Sequence, residues 1–115
     1  MKIQEEILGA FSSRGISLEP LGLEEVAWTM SDALEIVDLL AGKGVAVLGG
    51  DVYKESPDGL GPTYENWYCE RSSGENSRAF AKRSREEAVT FLSSYPDPAK
   101  AKFVLVLSEG QTAGL

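Results

Sequence analysis

The chain has 115 residues and a mass of 12.4 kDa, with 43% hydrophobic and 25% charged side chains, which fits one globular domain rather than two domains or a disordered polymer. It has a formal net charge of −7, of which residues 1–70 contribute 13 acidic and 4 basic side chains, whereas residues 71–115 carry 5 acidic and 7 basic ones. A field of that sign repels phosphate backbones and anionic lipid, so neither nucleic acid nor a membrane is an expected partner; it attracts a basic protein, and acidity that serves solubility alone reads the same way.

The chain has no histidine and one cysteine, Cys69. That removes the usual general base near neutral pH, every Ser-His or Cys-His nucleophile, the common zinc sets and any internal disulfide. The start turns polar too early for a signal peptide, and no apolar run nears the roughly 20 residues that span a bilayer. The expectation is a cytoplasmic protein with no cofactor.

Taken in chain order, Ile3, Ile7, Leu8 and Phe11 predict a short amphipathic helix over 3–13, stopped by Gly15. Ile16 to Leu23 reads as a connector, and Val26-Ala27-Trp28 as a short strand. Thr29 or Ser31 caps a helix that buries Ala33, Ile36, Val37 and Leu40 and leaves Asp32, Glu35 and Asp38 outside. Gly42 and Gly44 end it. Gly42-Lys43-Gly44 is too short to be a phosphate-binding Walker loop.

Val45 to Leu48 is a continuous apolar run and predicts a buried strand continuing through Gly49-Gly50 to Lys54. The glycine pair leads into more strand, not into a helix, and so reads as a bulge or bend. Ser56-Pro57-Asp58-Gly59 is a turn signal, with Leu60-Gly61-Pro62 extending it into a long mobile tip, and Thr63 to Glu70 is the returning strand. A loop over 72–76 precedes a helix over 77–95, with Phe80, Ser84, Ala88, Phe91 and Tyr95 on one stripe and Lys82, Arg83, Arg85 and Glu86 facing water. Phe103 to Leu107 predicts a central strand, and 109–115 a flexible tail. The expected fold class is α+β: a mostly antiparallel sheet of about four strands with about three helices packed on it, forming a single domain over 1–115.

The hairpin from Gly49 to Glu70 gathers four of the ten aromatic residues, Tyr53, Tyr64, Trp67 and Tyr68, beside the carboxylates Asp51, Asp58, Glu65 and Glu70. Packing in the sheet accounts for such aromatics, and so does a protein-binding hot spot, where tyrosines flanked by charge surround an apolar anchor. Asp51, Tyr53, Asp58, Tyr64, Glu65, Tyr68 and Glu70 are the candidate contacts, while Gly49-Gly50, Trp67 and Cys69 are read as building the hairpin. The spacing of the carboxylates matches no calcium loop. A small-molecule or divalent-ion module, with Asp51 and Glu70 as a carboxylate pair beside Gly49-Gly50, is the alternative. A scaffold subunit is a third reading. Cys69 among carboxylates reads as a buried structural thiol.

The segments Ala33-Leu34-Glu35-Ile36-Val37-Asp38-Leu39-Leu40, Val47-Leu48-Gly49-Gly50-Asp51-Val52-Tyr53 and Thr63-Tyr64-Glu65-Asn66-Trp67-Tyr68-Cys69 together resemble the Immunity protein 40 family of bacterial polymorphic toxin and contact-dependent inhibition systems. The resemblance covers about residues 25–108 and leaves the first 20 or so as a variable N-terminal part. It implies a non-enzymatic protein that binds and neutralises a cognate toxin domain. The acidic charge favours a basic nuclease as that toxin.

Overall fold

A computed structural model describes residues 9, 13–23 and 25–108. The helix expected over 3–13 and the tail over 109–115 lie outside the described residues, apart from Gly9 and Ser13. In chain order the described elements are β1 (Ile16–Ser17), a 3-10 turn (Glu19–Leu21), β2 (Val26–Ala27), α1 (Met30–Leu39), β3 (Val47–Ser56), β4 (Gly59–Tyr68), α2 (Ser77–Ser94), a second 3-10 turn (Pro98–Lys100) and β5 (Ala101–Leu107). The fold class is α+β with every strand pair antiparallel, as expected. The counts differ: the strands form a three-stranded sheet, ordered β4-β3-β5, and a separate two-stranded ribbon of β1 and β2, with two helices among the described residues. The connector expected over 16–23 supplies β1.

β3, not β5, is central. β5 looks central in sequence because both its faces are covered. Ala101 and Phe103 pack under the helices, while Val104 packs on Leu18, Ala27 and Tyr53 from the ribbon side. Trp28 then closes its free edge, donating from its N–H to the Phe103 carbonyl at 2.8 Å and accepting the Phe103 N–H at 2.7 Å.

The main core lies between the sheet and the two helices, where Trp28, Ile36, Val37, Leu40, Val45, Val47, Val52, Ala88, Leu92 and Phe103 meet. α1 starts where Thr29 accepts the Asp32 N–H on its hydroxyl at 3.1 Å. Asp32, expected outside, is buried. Arg14 reaches over from the preceding segment to within 3.1 Å of its carboxylate, and the helix N-terminus favours that charge. α2 starts at Asn76, whose side chain accepts the Ala79 N–H at 2.8 Å. Ser84 is wholly buried in α2 because its hydroxyl has two partners. It accepts the Val47 N–H at 2.9 Å and donates to the Ala81 carbonyl at 2.9 Å, tying the helix to the central strand.

The hairpin has no long tip. Ser56 pairs with Gly59, leaving Pro57 and Asp58 as the turn, and β4 runs through the Leu60-Gly61-Pro62 stretch expected to be loop. The Ser56 hydroxyl closes the turn by donating to the Gly59 carbonyl at 3.0 Å, and Gly59 supplies the positive φ of 110° that the turn requires.

Candidate functional site

Antiparallel register places directly opposite residues on one face of a sheet. Gly50 lies opposite both Trp67 on β4 and Leu105 on β5, and this row faces the helices. The Trp67 ring lies against Gly50 and stacks on Phe91 of α2 at 4.4 Å between centroids. A β-carbon on Gly50 would collide with the indole and with the Val104 carbonyl, so the row needs glycine. The next row, Tyr68–Gly49–Val106, turns the other way. Gly49 sits at a register shift in β3, the bulge that the sequence predicts, and its bare backbone separates two exposed side chains, Tyr68 at 72% and Val106 at 41%. Asn66, Asp51 and Val104 form the row beyond it.

This outer sheet face is therefore divided. The β1–β2 ribbon covers the part over Tyr53 and Val104, and the part formed by Asp51, Asn66, Tyr68 and Val106 is uncovered, around a recess of about 220 Å³ beside Gly49-Gly50. Tyr53, expected as a contact, belongs to the covered part. Its ring is 7% exposed among Leu18, Ala27 and Val104, and burial together with Glu25 and Asp51 raises its hydroxyl pKa. It builds the core beneath the ribbon. The ribbon explains the error: from sequence the segment 16–27 gives no sign that it folds over the sheet.

The other candidates keep surface positions. Asp51 is half-buried at the rim of the recess, Asp58 is exposed at the hairpin turn, and Glu70 is exposed just past β4. Tyr64 is 87% exposed and has φ of 66°. It stands in a bulge where three residues of β4, 63–65, face only Val52 of β3. Thr63 locks that bulge, its hydroxyl donating to the Val52 carbonyl at 2.8 Å and accepting the Glu65 N–H at 3.0 Å. A left-handed conformation is uncommon for a bulky residue, and surrounding bonds must hold it there. Glu65 is exposed but already committed: it accepts the Tyr95 hydroxyl at 2.5 Å, bracing β4 on α2 and pushing the Tyr95 pKa up to about 12.

Cys69 is buried beside Ala46, Phe80 and Ala81, and burial and then Glu87 push its thiol up, as expected of a structural cysteine. Beside it stands a residue that the helical stripe hid. Arg83, expected simply to face water, anchors the loop after β4. It makes a bidentate pair with Glu75 (2.8 Å each), reaches Glu87 and the Glu70 carbonyl at 2.6 Å each, and touches Cys69 Sγ at 3.3 Å. Only its pairing with Glu87, four residues on, was visible in the spacing. The Arg83 guanidinium and the Ser72 N–H hold the Glu75 carboxyl down at about 2.

Asp51 lines the recess at Gly49-Gly50, but Glu70 is not among its lining residues, so the carboxylate pair of the alternative reading does not converge there. Among the described residues, no group of three or more Cys, Asp or Glu side chains is placed to hold a metal ion, and no helix is long and apolar enough to cross a membrane. What remains is a divided sheet face with an uncovered tyrosine and carboxylate, and a second exposed tyrosine further along β4 on a locked bulge. Among known families, the model described as Immunity protein 40 matches residues 17–108, reaching further towards the N-terminus than the sequence motifs do. No curated protein and no solved structure matches the chain.

Proposed function

We propose that this chain, which belongs to the Immunity protein 40 family, binds a cognate toxin domain and neutralises it by occlusion, without chemistry of its own. The observation that carries the reading is the uncovered outer face: Tyr68 and Val106 exposed on either side of Gly49, with Asp51 and Asn66 in the adjoining row and Tyr64 exposed further along β4. Interfaces concentrate their energy in a few large amphipathic side chains surrounded by polar groups, and tyrosine is among the commonest of these. Tyr64 adds a ring carried on a backbone that Thr63 already holds, so that backbone loses little freedom on binding. Asp51, Asp58 and Glu70 supply negative charge around the tyrosines, which suits a basic toxin surface such as the groove of a nuclease. The producing cell's cytoplasm is where such a complex protects.

The test is the affinity for the toxin domain encoded beside this protein. Tyr64→Ala and Tyr68→Ala each remove an exposed side chain and leave the fold's core untouched. Each is expected to weaken binding by about 2 kcal/mol, roughly thirtyfold, with the melting temperature unchanged. Tyr53→Phe is the internal comparison and is expected to leave affinity alone. Wild-type affinity in the Tyr64→Ala/Tyr68→Ala double variant would place the interface elsewhere.

A further inference from the structure

On the far side of α2 from the hairpin lies a cleft of about 670 Å³ between the glycine turn after α1 and the first three turns of α2. It is lined by Lys43, Arg78, Lys82 and Arg85, with Gly42, Gly44, Ser77 and Ala81 between them, and no carboxylate among the described residues. Four of the chain's 11 basic side chains converge here, in a molecule whose net charge is −7. Arg78, Lys82 and Arg85 stand at i, i+4 and i+7, one stripe of a helix, and like charges at that spacing repel. Lys43 is carried towards them on a turn with two left-handed glycines, Gly42 (φ 78°) and Gly44 (φ 74°). Lys43, Arg78 and Lys82 make no ion pair with a described residue, and Arg85 makes one long contact of 3.4 Å to the Val45 carbonyl. The contrast with Arg83 is direct. One residue from Lys82, it is saturated by Glu75 and Glu87.

We propose that this cleft is a binding site for a small, multiply charged phosphate-bearing ligand. Two arginine forks and two lysines around a concave space suit a group carrying several anionic oxygens within a few ångströms. The volume admits a small molecule, and the positive end of the α2 dipole reinforces the field. A long polyanion is disfavoured because it would leave the cleft and meet the acidic remainder of the surface. This site is separate from the toxin-binding reading and neither depends on the other.

The probe is inorganic tripolyphosphate, followed through backbone amide shifts in nuclear magnetic resonance, with sodium chloride of matched ionic strength as the control. Saturable shifts are expected at Gly42–Gly44 and Ser77–Arg85 and not at the hairpin. The Lys82→Gln/Arg85→Gln double variant, in which Lys82 is exposed and Arg85 half-buried, is expected to stay folded and lose affinity at least about tenfold, since charge-assisted hydrogen bonds are removed. Absent or non-saturating shifts, or a double variant that titrates like the parent, would overturn the site. Tighter binding of a hexaglutamate peptide or a ten-residue single-stranded oligonucleotide at the same amides would overturn the ligand class.

Discussion

Single residues decide which parts of the hairpin are free to act. Tyr53, Tyr64, Trp67 and Tyr68 are equivalent in composition, yet Trp67 is stacked on Phe91, Tyr53 is under the ribbon, and only Tyr64 and Tyr68 are presented. Strand alternation separates Trp67 from Tyr68 correctly, so that much was legible. The placing of Tyr53 was not, because its fate is set by Leu18, from a stretch read as a connector, and by Ala27, from a short strand whose place over the sheet no spacing gives. Gly49 and Gly50 read as a bulge, which is half their role. Gly50 also makes room for the indole that carries the hairpin onto α2. Because Gly50 has no positive φ, replacing it tests packing alone. Gly50→Ala is expected to cost about 1–3 kcal/mol by overpacking, read from the denaturation midpoint, with a shift in Trp67 emission as the ring leaves its site. An unchanged midpoint would mean that the indole is held by Phe91 alone.

At the scale of elements, the helices and strands follow their hydrophobic periodicity closely, and the errors fall where a connection takes over. β4 runs through Leu60-Gly61-Pro62 because the two-residue turn at Pro57-Asp58 sets the register early, leaving those residues opposite Glu55, Lys54 and Tyr53. Turn-forming residues in an edge strand need not end it, and Pro62 there also discourages pairing with another chain. The loop between β4 and α2 is the opposite case, since it carries no regular structure and is held by side chains. Glu75 accepts from Arg83 and from the Ser72 N–H, and its carboxyl lies near 2 instead of its ordinary 4.5. A depressed carboxyl stabilises the fold fully above about 4.5 and loses that contribution as the pH falls through about 2. Thermal stability is thus expected to fall between those values, and Glu75→Gln is expected to remove most of the slope while lowering the melting temperature at neutral pH. Carboxyl titration followed by nuclear magnetic resonance checks the midpoint directly. A Glu75 midpoint near 4.5 would show that the Arg83 pair does not form in solution.

The whole molecule separates its charge in space as well as in sequence. The first 70 residues hold most of the carboxylates, and the carboxylates of the uncovered hairpin face belong to them, whereas Lys43, Arg78, Lys82 and Arg85 line the cleft across α2. The net charge was legible at once, and so was its sign asymmetry. That the basic half forms a cleft was not, because Lys43 joins the α2 stripe only through the packing of α1 against α2. For a partner approaching the hairpin, the acidic field acts at a distance and the tyrosines act on contact, and these two contributions respond differently to salt. Screening at a Debye length of about 10 Å in 0.1 M salt shortens the reach of the field but not of the ring contacts. Raising the salt from about 50 to 500 mM is therefore expected to lower the association rate constant for a basic toxin domain by at least about tenfold, while the dissociation rate changes little. Tyr68→Ala is expected to do the reverse, speeding dissociation and leaving association near its wild-type rate. Stopped-flow measurement of both constants separates the two. An association rate indifferent to salt would rule out steering by charge, and with it the basic toxin surface, while leaving the tyrosine contacts to stand on the dissociation data alone.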